Sequence, residues 1–365
     1  MSQLRLLGIS RVLLATDAFM LTSGLVGRVQ SDLRSAGISV EVFAEIRPDP
    51  TDENVLAGLV RYRESNSEAV VALGGGSPID CGKAIAMLTT NQLPMVQYMG
   101  RDKVPRAGAP MIAIPTTAGT GSEVTKVAVI TDTRRDVKMM MLDRHLMPTI
   151  ALVDYELTLS MPRPLTAAVG VDTLTHGIEA YISRLANPMT DPLALSCIGL
   201  VAKHLETAWR DSGNRPAREG MMLAATQGGM AFANSSVCLV HGMSRPIGAI
   251  FHVPHGISNA MLLPTVTRFS IAGAVARYAA IARTMDWARI GDSDEAAASS
   301  LADGLERLNR VLEIPRLREY PKMDGKRFAQ SIEKMAVDAL TSGSPQNNPV
   351  APTAAQIGEL YRAAW

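Results

Sequence analysis

The sequence predicts two domains of different class: a doubly wound α/β domain over residues 1–160 and an all-helical domain over residues 161–365. Three observations carry this. Strand and helix signals alternate through the first 155 residues. The run Ala69-Val70-Val71-Ala72-Leu73 is apolar throughout, as a parallel strand buried on both faces requires. After about Ser160 strand signals almost vanish and long amphipathic stretches take over. A chain of 365 residues is also long for a single core.

Taken in order, Met1-Ser2-Gln3-Leu4-Arg5 runs into a strand pattern and lacks the apolar stretch and cleavage site of a secretory signal. Arg11–Asp17 is an apolar run closed by a turn residue. A helical stretch follows, to about Ala36. Ile38–Phe43 reads as a second strand, and Thr51–Ser65 as a helix with Thr51 and Asp52 near its cap. Ala69–Leu73 is the third strand. Met111–Ile114 and Ile150–Val153 are further short ones. In the second domain Leu193–Arg210, Ala217–Ala233 and Glu295–Leu312 have helical periodicity. Thr341–Pro349 reads as a connector before a last helix ending at Trp365.

Composition narrows the function classes. Hydrophobic content of 47% and charged content of 19% describe an ordinary globular chain. A net charge of +1 gives no electrostatic reason to expect nucleic acid or an anionic membrane as partner. No apolar run of about 18 residues predicts a membrane span. Three widely spaced cysteines argue for a reducing, cytoplasmic setting and against a disulfide framework.

The third strand ends in Gly74-Gly75-Gly76-Ser77-Pro78-Ile79-Asp80. Three glycines permit close backbone approach, and a helix N-terminus attracts an anion. Ser77 suits the N-cap and Pro78 the first helical position. The run is neither the standard dinucleotide fingerprint, because Ile79 stands at the last glycine position, nor a Walker A motif. A plain strand-to-helix turn remains the alternative. A second loop, Pro115-Thr116-Thr117-Ala118-Gly119-Thr120-Gly121-Ser122-Glu123, follows the Met111–Ile114 strand with hydroxyls suited to phosphate and ribose oxygens. Both loops fall at the end of the sheet where open α/β sheets bind ligands.

Asp172 and His176 are four residues apart, so a helix presents them on one face. His241 and His255 each stand beside a glycine in an apolar setting. One carboxylate and three imidazoles suit a borderline divalent cation, Fe²⁺ or Zn²⁺. His145 and His204 read as hydrogen-bonded core or surface residues. His252, three before His255, reads equally as a pocket group, a proton relay or a structural residue.

Taken together, Gly74-Gly75-Gly76-Ser77-x-x-Asp80, the Pro115–Glu123 loop, Gly170-Val171-Asp172-x-Leu174-Thr175-His176-x-x-Glu179-Ala180-Tyr181 and His241-Gly242-Met243 with Pro254-His255-Gly256 resemble the iron-containing (group III) alcohol dehydrogenases over almost the whole chain. The resemblance implies a dinucleotide-binding α/β domain and a helical metal-binding domain. It implies Asp172, His176, His241 and His255 as metal ligands. It implies Gly74, Gly75, Gly76, Ser77 and Asp80, with Thr116, Thr117 and Thr120, at the NAD or NADP. The implied reaction interconverts a small alcohol and its aldehyde or ketone. A homo-oligomer, a dimer, is the implied assembly.

Three departures stand out. Arg245 replaces a histidine found in many members near nicotinamide and substrate; it cannot act as a base, but it suits a polar or anionic substrate. Ala44 stands where NAD-preferring members often place an Asp after strand two, so NADP use is open. The usual leading strand, which often joins subunits, is absent before Leu6-Leu7-Gly8, which leaves the dimer geometry open. His252 and Arg245 are thus the candidate catalytic-pocket residues, with Glu179 either behind the metal ligands or on the helix surface. A sugar-phosphate cyclase-like lyase on the same plan, or a catalytically silent nucleotide-binding protein, is the alternative reading.

Overall fold

The structure, a computed structural model, describes residues 2–135 and 137–365. The chain divides into two compact units, one of Met1–Thr117 and Ser122–Leu157, the other of Ala118–Gly121 and Thr158–Trp365. In chain order the first unit contains α1 (Ser2–Leu6), β1 (Arg11–Asp17), α2 (Ala18–Thr22), α3 (Leu25–Ser35), β2 (Ser39–Ile46), α4 (Asp52–Glu64), β3 (Ala69–Gly74), α5 (Gly76–Leu88), β4 (Gly100–Arg101), β5 (Met111–Pro115), β6 (Val127–Asp132), β7 (Val137–Leu142) and β8 (Ile150–Ala151).

The main sheet is parallel, in the order β2-β1-β3-β5-β8. Alternate residues of β1 serve opposite faces. Val12 and Leu14 pack with Val26, Leu33 and Ile38. Leu13 and Ala15 pack with Phe43, Val55, Leu59 and Ile85. Both faces are therefore covered, which explains the unbroken apolar run of β3. The chain leaves β1 for the outer β2 and returns across it to β3. The order thus switches between β1 and β3, where sheets of this kind hold ligands at their carboxyl ends. Thr51 caps α4 as expected: its hydroxyl accepts from the Asn54 N–H at 3.2 Å, and the Asn54 side chain accepts from the Thr51 N–H at 3.2 Å. Such a box stabilises a helix by about 1 kcal/mol.

Several expectations need correction. Ser2–Leu6 is helical, not extended, and Leu4 enters the core. Met1 lies outside the described residues. The helix expected to run to Ala36 is broken into α2 and α3 at Gly24, whose φ is 80°. The strand expected over Ile150–Val153 stops at Ala151, with Leu152 and Val153 exposed. Strand β2 runs on to Ile46, so Ala44 lies inside it rather than after it. The antiparallel pair β6–β7 is not among the expected strands; β7 is Val-Lys-Met-Met-Met-Leu, and a methionine run carries no strand signal.

The second unit contains α6 (Arg163–Ile182), α7 (Asp191–Arg210), α8 (Arg215–Ser235), α9 (Leu239–Phe251), α10 (His255–Ser270), α11 (Val275–Thr284), α12 (Asp294–Val311), α13 (Gly325–Thr341) and α14 (Ala354–Ala364). Helix α6 is buried on nearly every side, as expected of the central member of a helical domain. It packs against α7, α8 and α10. Glycines allow the close approach: a Cβ on Gly170 would lie 2.2 Å from Leu205 Cδ1, and one on Gly177 would lie 2.9 Å from Ile198 Cγ1. Thr341 belongs to α13, and the connector after it holds a short turn at Pro345–Asn347.

Candidate metal centre and nucleotide loops

Three helices supply the cluster. Asp172 and His176 sit one turn apart on α6, His241 lies in the first turn of α9, and His255 opens α10. The ligand atoms of Asp172, His176 and His241 all lie within 4.8 Å of one another. Asp172 Oδ1 is 3.9 Å from His176 Nε2, 3.7 Å from His241 Nε2 and 3.9 Å from His255 Nε2. Four donors around one tetrahedral cation stand about 3.4 Å apart when metal bonds are ~2.1 Å long. The separations from Asp172 are slightly wider than that, and the one-oxygen, three-nitrogen set suits a single divalent cation, with Asp172, His176 and His241 as the mutually close group. Asp172, His176 and His241 are buried, whereas the His255 side chain is 44% exposed and forms the open wall.

Burial opposes charge on Asp172, but His176, His255 and His241 beside it and a hydrogen bond from Asn259 outweigh that, and its pKa falls below the ordinary carboxylate value. Burial and the neighbouring His176 and His255 push His241 well below 6.5, keeping its ring neutral as a ligand must be. Glu179, one turn beyond His176, is buried rather than on the helix surface. Its carboxylate accepts from Cys238 N at 2.7 Å, Val240 N at 2.6 Å and His241 Nδ1 at 2.7 Å. Burial pushes the Glu179 carboxyl up to about 7, against backbone hydrogen bonds from Cys238, Val240 and His241. A carboxylate on Nδ1 fixes the tautomer that leaves Nε2 bare, the usual support of a metal-bound histidine.

Asn259 was not singled out from the sequence. It stands four residues after His255 on α10, fully buried, with Nδ2 at 2.6 Å from Asp172 Oδ1 and 3.2 Å from both His241 Nε2 and His255 Nε2. The spacing from His255 was the available signal. Arg245, four residues after His241, is part-buried and donates from Nη1 to Ser344 Oγ at 2.9 Å. Burial lowers its pKa, and Glu179 partly offsets this. His252 stands apart from these groups in kind: it is the left-handed C-cap of α9, φ 53°, and is exposed. His145 is a hydrogen-bonded residue, its Nδ1 3.0 Å from the Val104 carbonyl.

In the first unit, the glycine loop begins at Gly74, whose φ is 149° and where a Cβ would lie 2.5 Å from Pro78 Cγ. Helix α5 starts at Gly76 with Gly75 as its N-cap, two residues before the expected Ser77 cap. Ser77 and Pro78 are thus the second and third helical residues. Pro78 is still tolerated, because the first turn's N–H groups have no partner within the helix. Thr116 N donates to Gly74 O at 2.9 Å, and Thr117 Oγ1 would meet a Cβ on Gly75 at 3.3 Å, so the two loops adjoin. Asp80 faces inward. It accepts from Ser122 Oγ at 2.6 Å and Val129 N at 2.9 Å, and Lys83 beside it donates to Ser122 Oγ and to Val127 O. Thr120 belongs to the second unit. There a Cβ on Gly119 would lie 2.4 Å from Val169 Cβ, and one on Gly121 would lie 2.6 Å from Gly229 Cα.

Comparison with known proteins agrees with this geometry. Residues 1–155 match the family model of iron-containing alcohol dehydrogenases, and residues 166–365 match that family's C-terminal domain. The chain is 37% identical over 363 residues to the NAD-dependent methanol dehydrogenase of Bacillus methanolicus, covering 100% of this chain and 94% of that protein. It is 38% identical over 330 residues to the NADPH-dependent butanol dehydrogenase of Clostridium saccharobutylicum, covering 88% and 84%. The crystal structure of a 1,3-propanediol oxidoreductase superposes with a TM-score of 0.96 at 36% identity, covering 100% of this chain and 94% of that one. With both of its domains matched, this chain belongs to the iron-containing alcohol dehydrogenase family.

Proposed function

We propose that the chain interconverts a short alcohol and its aldehyde or ketone, with NAD or NADP as redox partner, and that its preferred substrates carry a polar or anionic group. The observation that carries the reading is the Asp172–His176–His241–His255 cage with Glu179 behind it. A divalent cation held there supplies Lewis acidity toward a substrate oxygen, and nicotinamide supplies hydride chemistry.

The chain's own residues have separate tasks. Glu179 keeps the bare Nε2 of His241 turned into the cage. The N–H groups at the start of α5, in Gly75, Gly76 and Ser77, suit a pyrophosphate, with Thr116 and Thr117 adding hydroxyls. Gly74 gives the loop its shape, and Asp80 anchors it from within through Ser122 and Val129. Thr120 is proposed as a further cofactor contact. Arg245 suits a carboxylate or related anion, because a guanidinium offers several N–H donors and none of the ion pairs among the described residues includes it. His252, exposed at the end of α9, is kept as a proton relay to solvent.

Fe²⁺ follows the family, and Zn²⁺ fits the same donor set. Ala44 has no carboxylate to repel a 2′-phosphate, which supports use of either cofactor. No described helix is long and apolar enough to cross a membrane. A cytoplasmic dimer is the proposed state, resting on the family resemblance; light scattering tests the dimer.

The test is anaerobic oxidation of NADH and NADPH by metal-stripped protein reloaded with Fe²⁺ or Zn²⁺, against neutral, hydroxylated and carboxylated short aldehydes and ketones. Metal-dependent turnover, faster with a polar or carboxylated member, is expected. Metal binding without turnover on any member would overturn the reading. Turnover with neutral aldehydes only would remove Arg245 from it.

A further inference from the structure

An amide stands beside three of the four candidate ligands of the cage. Asn259 Nδ2 lies 2.6 Å from Asp172 Oδ1 and 3.2 Å from Nε2 of both His241 and His255. The orientation of that amide follows from its neighbours. An oxygen 2.6 Å from a carboxylate oxygen would be repelled, so the nitrogen faces Asp172. His241 must be the acceptor in its contact, because Glu179 takes the proton on Nδ1. The amide has two N–H groups for three acceptors, and these are the atoms the metal reading needs as ligands. Its own Oδ1 is buried and has no hydrogen-bond partner. A side chain oriented for its own benefit would not leave a buried carbonyl unpaired. Without a donor among them, the bare lone pairs of Asp172 and the imidazoles would face one another at 3.7–3.9 Å.

We propose that Asn259 is the placeholder of the metal site. Its amide holds Asp172, His241 and His255 together in the metal-free protein, and a divalent cation enters by displacing that amide from the two imidazoles. Asn259 is in this account a positioning residue, and the proposal rests on reading the four side chains as a cation site. It explains how Asp172, His241 and His255 stay together before metal arrives. It also makes loading an exchange of hydrogen bonds for metal bonds, with the α10 pair His255 and Asn259 moving from one to the other.

Asn259→Ala tests it. Zn²⁺ affinity is measured by chelator competition, thermal stability is compared with and without Zn²⁺, and Co²⁺ absorption reports coordination. The expected result is a lower Tm for the metal-free variant, a larger rise in Tm on adding Zn²⁺, and Zn²⁺ binding tighter by about tenfold, since no amide need be displaced. The Co²⁺ spectrum should match wild type. Unchanged or weaker Zn²⁺ binding would overturn the proposal, as would a changed Co²⁺ spectrum, which would make Asn259 a ligand. If the alanine variant does not fold without metal, Asn259→Ser, too short to reach all three acceptors, is read the same way. Failure of wild type to bind Zn²⁺ or Co²⁺ would instead remove the metal reading itself.

Discussion

The candidate nucleotide loops are made of backbone and the candidate metal cage is made of side chains. At Gly74–Ser77 the useful groups are N–H donors at the start of α5, set by a glycine at φ 149° and a helix that begins at Gly76. In the cage every useful atom is at the end of a side chain, delivered by three helices and steadied by Glu179 and Asn259. The two constructions should fail differently. A backbone site tolerates loss of a side chain but not a change of backbone angle. A side-chain site loses its function with one residue and keeps its fold.

The largest expected effect is therefore His255→Ala. Its ring is the exposed wall of the cage, so removing it leaves the core packing of α6 and α9 intact. The variant should lose bound metal and at least ~10³-fold in activity, while the metal-free Tm stays close to that of metal-free wild type. Metal content by atomic emission and a melting curve check both halves. Retained stoichiometric metal would break the contrast between the two sites.

Glu179→Gln comes next. The amide keeps one acceptor and brings an N–H₂ toward donors at Cys238, Val240 and His241. Loss of the support behind a ligand typically lowers metal affinity 10–100-fold. Chelator competition measures it, and wild-type affinity would reduce Glu179 to a packing residue.

Gly74→Ala probes the other construction. The new Cβ would stand 2.5 Å from Pro78 Cγ on a residue whose φ of 149° L side chains rarely adopt. A stability loss of about 1–3 kcal/mol is expected, with weaker NADH binding. Ser77→Ala should do far less, since Ser77 is proposed to act through its N–H. NADH fluorescence titration compares the pair. Equal losses from both variants would mean that the Ser77 hydroxyl, not backbone, carries the contact.

How much was legible follows the same division. The βα alternation and the apolar β3 were visible because a parallel sheet covered on both faces leaves an unmistakable pattern. The pair Asp172 and His176 was visible because four residues make one helical turn. What failed needed tertiary knowledge. Ser77 looks like an N-cap in isolation, yet the glycine before Gly76 starts the helix sooner. Glu179 could not be told from a surface residue, because burial of α6 on all sides arises from packing with α7, α8 and α10. Asn259 carries no charge, so only its place beside Asp172, His241 and His255 gives it meaning. The Pro115–Glu123 loop reads as one motif, whereas the fold assigns Thr116 and Thr117 to one unit and Thr120 to the other.

The smallest effect sharpens what is not site at all. Glu68 lies just before β3 and ties it to the start of β1. It accepts from Ser10 N at 2.7 Å, Ser10 Oγ at 3.1 Å and Arg11 N at 3.2 Å, and pairs with Arg11 Nη2 at 2.6 Å. The Ser10 N–H leads these in holding its carboxyl below the usual 4.5. A group whose folded pKa is depressed contributes stability above its unfolded value, and that stability is lost as pH falls through the folded one. Glu68→Gln should therefore be slightly less stable than wild type at pH 7. The gap should narrow only below about pH 4.5, as wild type loses the advantage that the variant never had. Urea melts of both proteins from pH 7 to pH 3 measure it. A gap that is constant with pH would assign the effect to the neutral hydrogen bonds rather than to the charge. Because this tie joins strands rather than shaping either site, metal content and NADH affinity should stay at wild-type values throughout the series.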